Sequence, residues 1–226
     1  MSDADPSHDR NISIWHVIRV FTLLVADERT SRTPGVTDHT ANIRIERMEP
    51  KPNSLLLDAI NQRVEIQPYD PDWSAKFTVE RARLLQLFPN VFQSIEHFGS
   101  TAVPGLAAKP VIDILAGVDS MYVADELLEP LCQAGYDTSK EFNATLTDRR
   151  WLMLHKNGKR THHLHLVVHG QKEWQCRLAF RDALRSNQSL AARYEALKRE
   201  LANVHPDDRE AYTAAKADFI KSVVGG

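Results

Sequence analysis

The stretch best equipped for chemistry runs from His97 to Leu115 and reads His97-Phe98-Gly99-Ser100-Thr101-Ala102-Val103-Pro104-Gly105-Leu106-Ala107-Ala108-Lys109-Pro110-Val111-Ile112-Asp113-Ile114-Leu115. A strand that runs into Gly99-Ser100-Thr101 makes a turn where glycine lets a ligand approach the backbone. Consecutive N–H groups and two hydroxyls there can hold phosphate oxygens. Lys109, just before Pro110, is read either as a contact for the same phosphate or as a surface residue. Asp113 is a lone carboxylate among aliphatic residues, and an ionised acid in such a strand is costly unless a cation or a donor meets it. A second stretch, Thr161-His162-His163-Leu164-His165, places two imidazoles two residues apart, hence on one face of a strand. Imidazoles there can act as acid or base, or bind Zn²⁺, Ni²⁺ or Fe²⁺. With Asp113 they would make a set of two histidines and one carboxylate.

The elements that must position these groups follow from pattern. Asn157-Gly158 is a strong hairpin signal, because a type I′ turn needs positive φ twice. A two-residue loop pairs Lys156 with Lys159, and simple alternation then sets Leu152 opposite His163 and Arg150 opposite His165. One face holds Arg150, Leu152, Leu154, Thr161, His163, His165 and Val167. The other holds Trp151, Met153, Leu164, Leu166 and Val168, and is the more apolar, so it is expected to face the core. Ile112, Ile114, Ala116 and Val118 share a face on a neighbouring strand, which turns Asp113 to the open side. Asp113, Arg150, His163 and His165 are thereby expected to converge beside Gly99-Ser100-Thr101.

Around them, Val64–Ile66 alternates like a short strand, and Asp70-Pro71-Asp72-Trp73 opens a helix carrying Trp73, Phe77, Leu84 and Phe88. Val91 to Phe98 and Val111 to Val118 read as strands. Val123, Leu127, Leu128 and Leu131 mark a helix closed by Gly135. Three helices follow the hairpin: Glu173 to Arg185, a second with Leu190, Tyr194, Leu197 and Leu201 on one stripe, and a third starting at Asp207 with Glu210 three residues on. Arg181-Asp182 reads as a structural ion pair, Lys198 and Lys216 as solvated helix positions, and Cys132 and Cys176 as inert. The order argues an α/β (α+β) fold: a mixed sheet with helices on one face and a C-terminal helical segment.

The run from Gly99 to Asp113 resembles the nucleotidyltransferase superfamily, whose pattern is Gly-Ser on a turn followed by a strand with Asp-x-Asp or Asp-x-Glu. It resembles more closely the GrpB-like family within that superfamily, on Tyr69-Asp70-Pro71-Asp72-Trp73, on Gly99 to Pro110 with Asp113, on Thr161-His162-His163-Leu164-His165 and on Phe180-Arg181-Asp182. The resemblance spans roughly residues 64 to 224. It implies a nucleotidyltransferase-like fold, a nucleotide or CoA-related phosphate ligand, Asp113 as a ligand of Mg²⁺ or another divalent metal, and association with dephospho-CoA kinase, to which the family occurs fused. Leu115 stands where the pattern has its second acid, and leucine is no ligand for Mg²⁺, which takes oxygen donors. Two readings are therefore carried. One is a metal-dependent nucleotidyl or phosphoryl transferase with Asp113, His163 and His165 catalytic and Gly99, Ser100, Thr101, Lys109 and Arg150 on the phosphate. The other is a non-catalytic binding module that kept the pocket and lost the second carboxylate.

The 226 residues carry a net charge of −2, with 42% apolar and 26% charged residues, an ordinary globular balance. Nucleic acid is an unfavoured partner, since the arginines and lysines of the C-terminal helices are interleaved with acids. Two distant cysteines exclude a disulfide scaffold and point to a reducing, cytoplasmic compartment. No apolar run is long enough for a membrane span. Residues 1–62, rich in breakers after Val25, are expected to form a poorly ordered N-terminal extension, with Ile14 to Val25 as an alternative docking helix. Residues 63–226 are expected to form the GrpB-like domain.

Overall fold

The computed structural model of the chain describes residues 52–225. The expected extension falls mostly outside them, as does the Ile14 to Val25 segment. Its last part is helical: α1 (Pro52–Ile60) starts at a proline, whose fixed φ and missing N–H suit a first helical turn. Arg160 ties this helix down by donating from Nε to Ala59 O (2.8 Å) and from Nη2 to Ile60 O (3.2 Å).

The sheet grows from its two central strands. β2 (Ile112–Val118), a near-continuous apolar run, pairs in parallel with β4 (Lys159–Val168), which is polar from Lys159 to His163 and mostly apolar and buried from Leu164 on. β1 (Ser94–Phe98) joins β2 antiparallel, and β3 (Arg149–Lys156) joins β4 antiparallel, in the order β1-β2-β4-β3. This is the expected mixed sheet. The β3–β4 turn is the expected one, with Asn157 at φ 52° and Gly158 at φ 72°.

One face of the sheet packs Ile95, Ile112, Ile114, Ala116, Val118, Leu152, Leu164 and Leu166 against Trp73 and Leu84. The last two come from α2 (Asp72–Leu87). The same layer includes Leu127 and Leu131 at α3 (Met121–Glu126) and α4 (Leu128–Gln133), a pair of short helices where one was expected. A further short helix, α5 (Lys140–Ala144), precedes β3; its Asn143 side chain accepts from Trp151 N at 2.7 Å and donates to Trp151 O at 3.0 Å.

The C-terminal helical segment begins with α6 (Lys172–Ser186), which covers one end of the second face: Phe98, Leu115 and Val167 meet Trp174 and Leu178 there. Gly117 permits this approach, because a Cβ on it would lie 2.8 Å from the His169 ring and 3.0 Å from Trp174. Arg181 anchors α6 to β1 as expected, donating to Glu96 Oε2 (3.0 Å) and His97 O (3.0 Å). α7 (Gln188–Val204), α8 (Arg209–Ala214) and α9 (Ala217–Val224) complete the chain. The predicted single last helix is thus split, its start capped by Asp208 accepting from Glu210 N and Ala211 N. Among the described residues no helix is long and apolar enough to cross a membrane.

Candidate functional site

Parallel pairing puts Asp113 of β2 directly beside His163 of β4, and the two-residue period brings His165 to the same face. His163 Nδ1 lies 3.0 Å from Asp113 Oδ1. Ligand atoms of Asp113, His163 and His165 all lie within 4.8 Å of one another. The side chains are recessed without being sealed: Asp113 keeps 18% of its side-chain surface accessible and His163 keeps 7%. His163 Nε2 and His165 Nδ1 are buried with no hydrogen-bond partner.

Arg150 does not join them. Register holds outward from Lys156–Lys159 and His155–Arg160, then shifts by one residue, so that Leu154 pairs with His162, Met153 with His163 and Trp151 with His165. Thr161 is the unpaired residue of a β-bulge, which reverses the face of every β3 residue beyond it. Trp151 and Met153 come to the side of the imidazoles, with the Trp151 ring 5.3 Å from that of His163, while Leu152 and Leu154 go to the helix-covered face. Arg150 sits on that opposite face and donates to Asp125 Oδ2 (3.0 Å) and Leu146 O (2.8 Å).

The Gly99 turn lies against Asp113. Gly99 has φ 71°, and a Cβ on it would stand 2.4 Å from Asp113 Oδ2, so any side chain at this position would strain the turn and displace the carboxylate. Ser100–Ala102 forms a single 3₁₀ turn. Thr101 faces inward, with its Oγ1 3.0 Å from His97 Nε2, so its hydroxyl already has a partner within the protein. Ser100 is half-buried beside the Tyr194 hydroxyl. Val111 N donates to Lys109 O across Pro110 at 2.8 Å, a tight reversal that fixes Lys109 just ahead of β2. The preceding loop is held from α7: Glu195 Oε2 accepts from Ala107 N at 3.0 Å, and Lys198 Nζ donates to Ala107 O. Lys198, expected to be solvated, is 2% exposed.

The charges around Asp113 come largely from Arg209, which the residue pattern does not single out, and from Lys216, which was expected to be a solvated helix position and instead has its charge weakened by burial. Besides Lys109, its carboxylate acts on Arg209 of α8 and on Lys216, which immediately precedes α9. Burial pulls Lys109 down to about 7, and Lys216 to about 8, against the partial support of Asp113. Arg209 donates from Nη2 to Gln62 O (2.9 Å), but its Nε and Nη1 are buried without partners. Burial raises the Asp113 carboxyl, and the His163 hydrogen bond and the Lys109 charge outweigh it and hold the group well below the usual carboxylate range. Burial, with Lys109 nearby, lowers His163 to about 3, and burial takes His165 well below its ordinary value. Asp113 is thus the anion and His163 the neutral donor through Nδ1. Nothing in the sequence marks Arg209 or Lys216, since it is the packing of the last helices that carries them to the sheet.

Glu65, Glu96 and Asp119 are three acids that could supply the second carboxylate that Leu115 does not. Glu96 is bound to Arg181 and Asp119 accepts from Gln93, and among the described residues neither they nor Glu65 join the Asp113 cluster. One carboxylate and two imidazoles do not fit a pair of Mg²⁺ ions, which need several oxygen donors.

A family model described as GrpB protein matches residues 63–225. Among similar proteins, UPF0157 protein YqkA of Bacillus subtilis is 34% identical over 197 residues, covering 85% of this chain and 57% of that protein. Glutamate-rich protein GrpB of Alkalihalophilus pseudofirmus is 34% identical over 164 residues, covering 69% of this chain and 91% of that one. A protein named dephospho-CoA kinase from Mycolicibacterium paratuberculosis is 33% identical over 181 residues, 70% of this chain and 44% of the relative. The chain therefore spans little over half of YqkA and less than half of the kinase. The crystal structure of conserved protein GrpB from Enterococcus faecalis is 38% identical, with a TM-score of 0.63 over 71% of this chain and 95% of that one.

Proposed function

The chain belongs to the GrpB family, and from that premise we propose that it binds a nucleotide or a CoA-related phosphate ligand in the recess at Asp113. The observation that carries this reading is the charge arrangement: a single carboxylate set among Lys109, Arg209 and Lys216, with two buried Arg209 donors unpartnered. Buried donors without acceptors are costly, and a phosphate is the natural acceptor for a guanidinium fork. Backbone of the Gly99–Ser100 turn would approach the same phosphate, and Ser100 would offer its hydroxyl. The similarity to a protein named dephospho-CoA kinase supports a CoA-related ligand as the class to try first.

Binding is favoured over group transfer by a specific residue. Leu115 is fully buried under Trp174 and cannot supply the second carboxylate of a nucleotidyl-transfer centre. In the binding reading Asp113 orients His163 and fixes the spacing of the cations. The test is calorimetric titration of the full chain with nucleotides, CoA and CoA precursors, and inorganic phosphate, without added metal. Saturable binding that Arg209→Met weakens at least about tenfold supports the proposal. No binding by any of these phosphates, or equal binding by wild type and Arg209→Met, overturns it.

A further inference from the structure

We propose that Asp113, His163 and His165 form a binding site for one transition-metal cation that prefers nitrogen ligands, of the Zn²⁺, Ni²⁺ or Co²⁺ class, and that Mg²⁺ does not occupy it. Three elements of the geometry carry this. The three side chains leave one face of two adjacent parallel strands at fixed register, so their spacing is set by backbone hydrogen bonds rather than by flexible loops. Their ligand atoms span no more than 4.8 Å. A metal–ligand bond of about 2.1 Å allows two donors up to about 4.2 Å apart, so small side-chain rotations close the set on one ion. Each imidazole also has a buried nitrogen without a partner, His163 Nε2 and His165 Nδ1, and an empty buried lone pair is a costly state that ligation relieves.

The donor set decides the class of metal. Imidazole suits Zn²⁺, Ni²⁺ and Co²⁺, whereas Mg²⁺ needs oxygen ligands and keeps its waters. The three remaining coordination positions of a six-coordinate ion, or the one of a tetrahedral ion, would be open toward the recess. Lys109, Arg209 and Lys216 oppose a second positive centre, so the site is suited to an ion that shares an anion with them. A phosphate bound to those cations and to the metal at once would strengthen both. By linkage the metal raises phosphate affinity by the same factor as phosphate raises metal affinity. This coupling rests on the phosphate reading above; the metal site itself does not.

The experiment uses the full, untagged chain and Co²⁺ as probe, read by visible ligand-field absorbance and by calorimetry, with Mg²⁺ as competitor. The expected result is one Co²⁺ per chain, not displaced by millimolar Mg²⁺, with affinity reduced at least about tenfold in His165→Gln and in Asp113→Asn. Inorganic phosphate is expected to tighten Co²⁺. His155→Gln, which alters a histidine paired with Asp137 away from the cluster, serves as a control and is expected to bind as wild type does. Circular dichroism checks that each variant is folded, and His165→Gln stands alone if Asp113→Asn is not. Co²⁺ binding that is absent, that survives both substitutions, or that Mg²⁺ abolishes overturns the proposal. Phosphate titration without metal reads the other proposal separately: intact phosphate binding with no Co²⁺ site sinks the metal alone, and a Co²⁺ site insensitive to phosphate removes the coupling.

Discussion

At the scale of single residues, the site depends on groups whose ordinary charge is weakened by burial. Lys109 and Lys216 lie near 7 and 8, each above the second ionisation of a phosphate monoester at about 6, so above pH 7.5 such a ligand is already a dianion while the amines are still losing protons. A bound phosphate favours the protonated amines and raises both values. Affinity is therefore full below those values and falls as pH rises through them. Between pH 7.5 and pH 9.5 calorimetry should show phosphate affinity dropping, with proton uptake on binding at pH 8. Arg209 remains charged across this range, and Asp113 remains ionised, so neither accounts for the loss. A flat profile would mean that the lysines do not contact the ligand. Gly99 makes the complementary case by shape. Gly99→Ala sets a methyl 2.4 Å from Asp113 Oδ2 at a φ that L-residues avoid. The expected cost is about 1–3 kcal/mol of stability in urea unfolding, together with weaker ligand binding because the carboxylate is pushed aside. Unchanged binding in that variant would separate the turn from the site.

At the scale of elements, the fate of Arg150 shows what a sequence can and cannot say. The histidine pair and Asp113 were legible because only strand alternation was needed: period two within β4, and one apolar face on β2. Arg150 was misplaced because alternation was carried through Thr161, and a bulge leaves no mark in the residue pattern that would distinguish it from a regular strand. The mixed sheet, its hairpin and the Arg181 anchor were readable from local signals. α1 had a readable signal too, Pro52 ahead of Leu55-Leu56-Leu57, which breaker-rich surroundings hid. Arg209 and Lys216 were not readable, since their approach to Asp113 depends on how α8 and α9 fold back. The bulge makes a prediction of its own. Arg150→Ala removes a pair with Asp125 on the far face, so phosphate affinity should change by less than about twofold, while urea unfolding shows a loss of about 1 kcal/mol. A large loss of ligand affinity would return Arg150 to the binding face.

At the scale of the whole molecule, the folded state keeps several imidazoles neutral that the unfolded chain would protonate. Burial lowers His97 to about 4 and His163 to about 3, and takes His165 well down as well. Below the ordinary histidine value of about 6.5 the unfolded chain binds protons that the folded one does not. Stability thus rises with pH through this window, and is lost as pH falls from about 6.5 toward 4. Asp113, held below the usual carboxylate range, acts in the same direction but only lower, because its contribution is complete above about pH 4 and disappears beneath it. The histidine and carboxylate contributions are therefore separable by pH. Each differential proton adds a slope of about 1.4 kcal/mol per pH unit. Urea unfolding of the full chain at pH 7, 6, 5.5 and 5 should show stability falling toward acid, and His165→Gln should fall less steeply by about that slope at pH 5 to 5.5. Parallel curves for wild type and His165→Gln would show that the ring already carries a proton in the fold. It would then be a cation beside Asp113, which would remove the neutral nitrogen that the metal site requires.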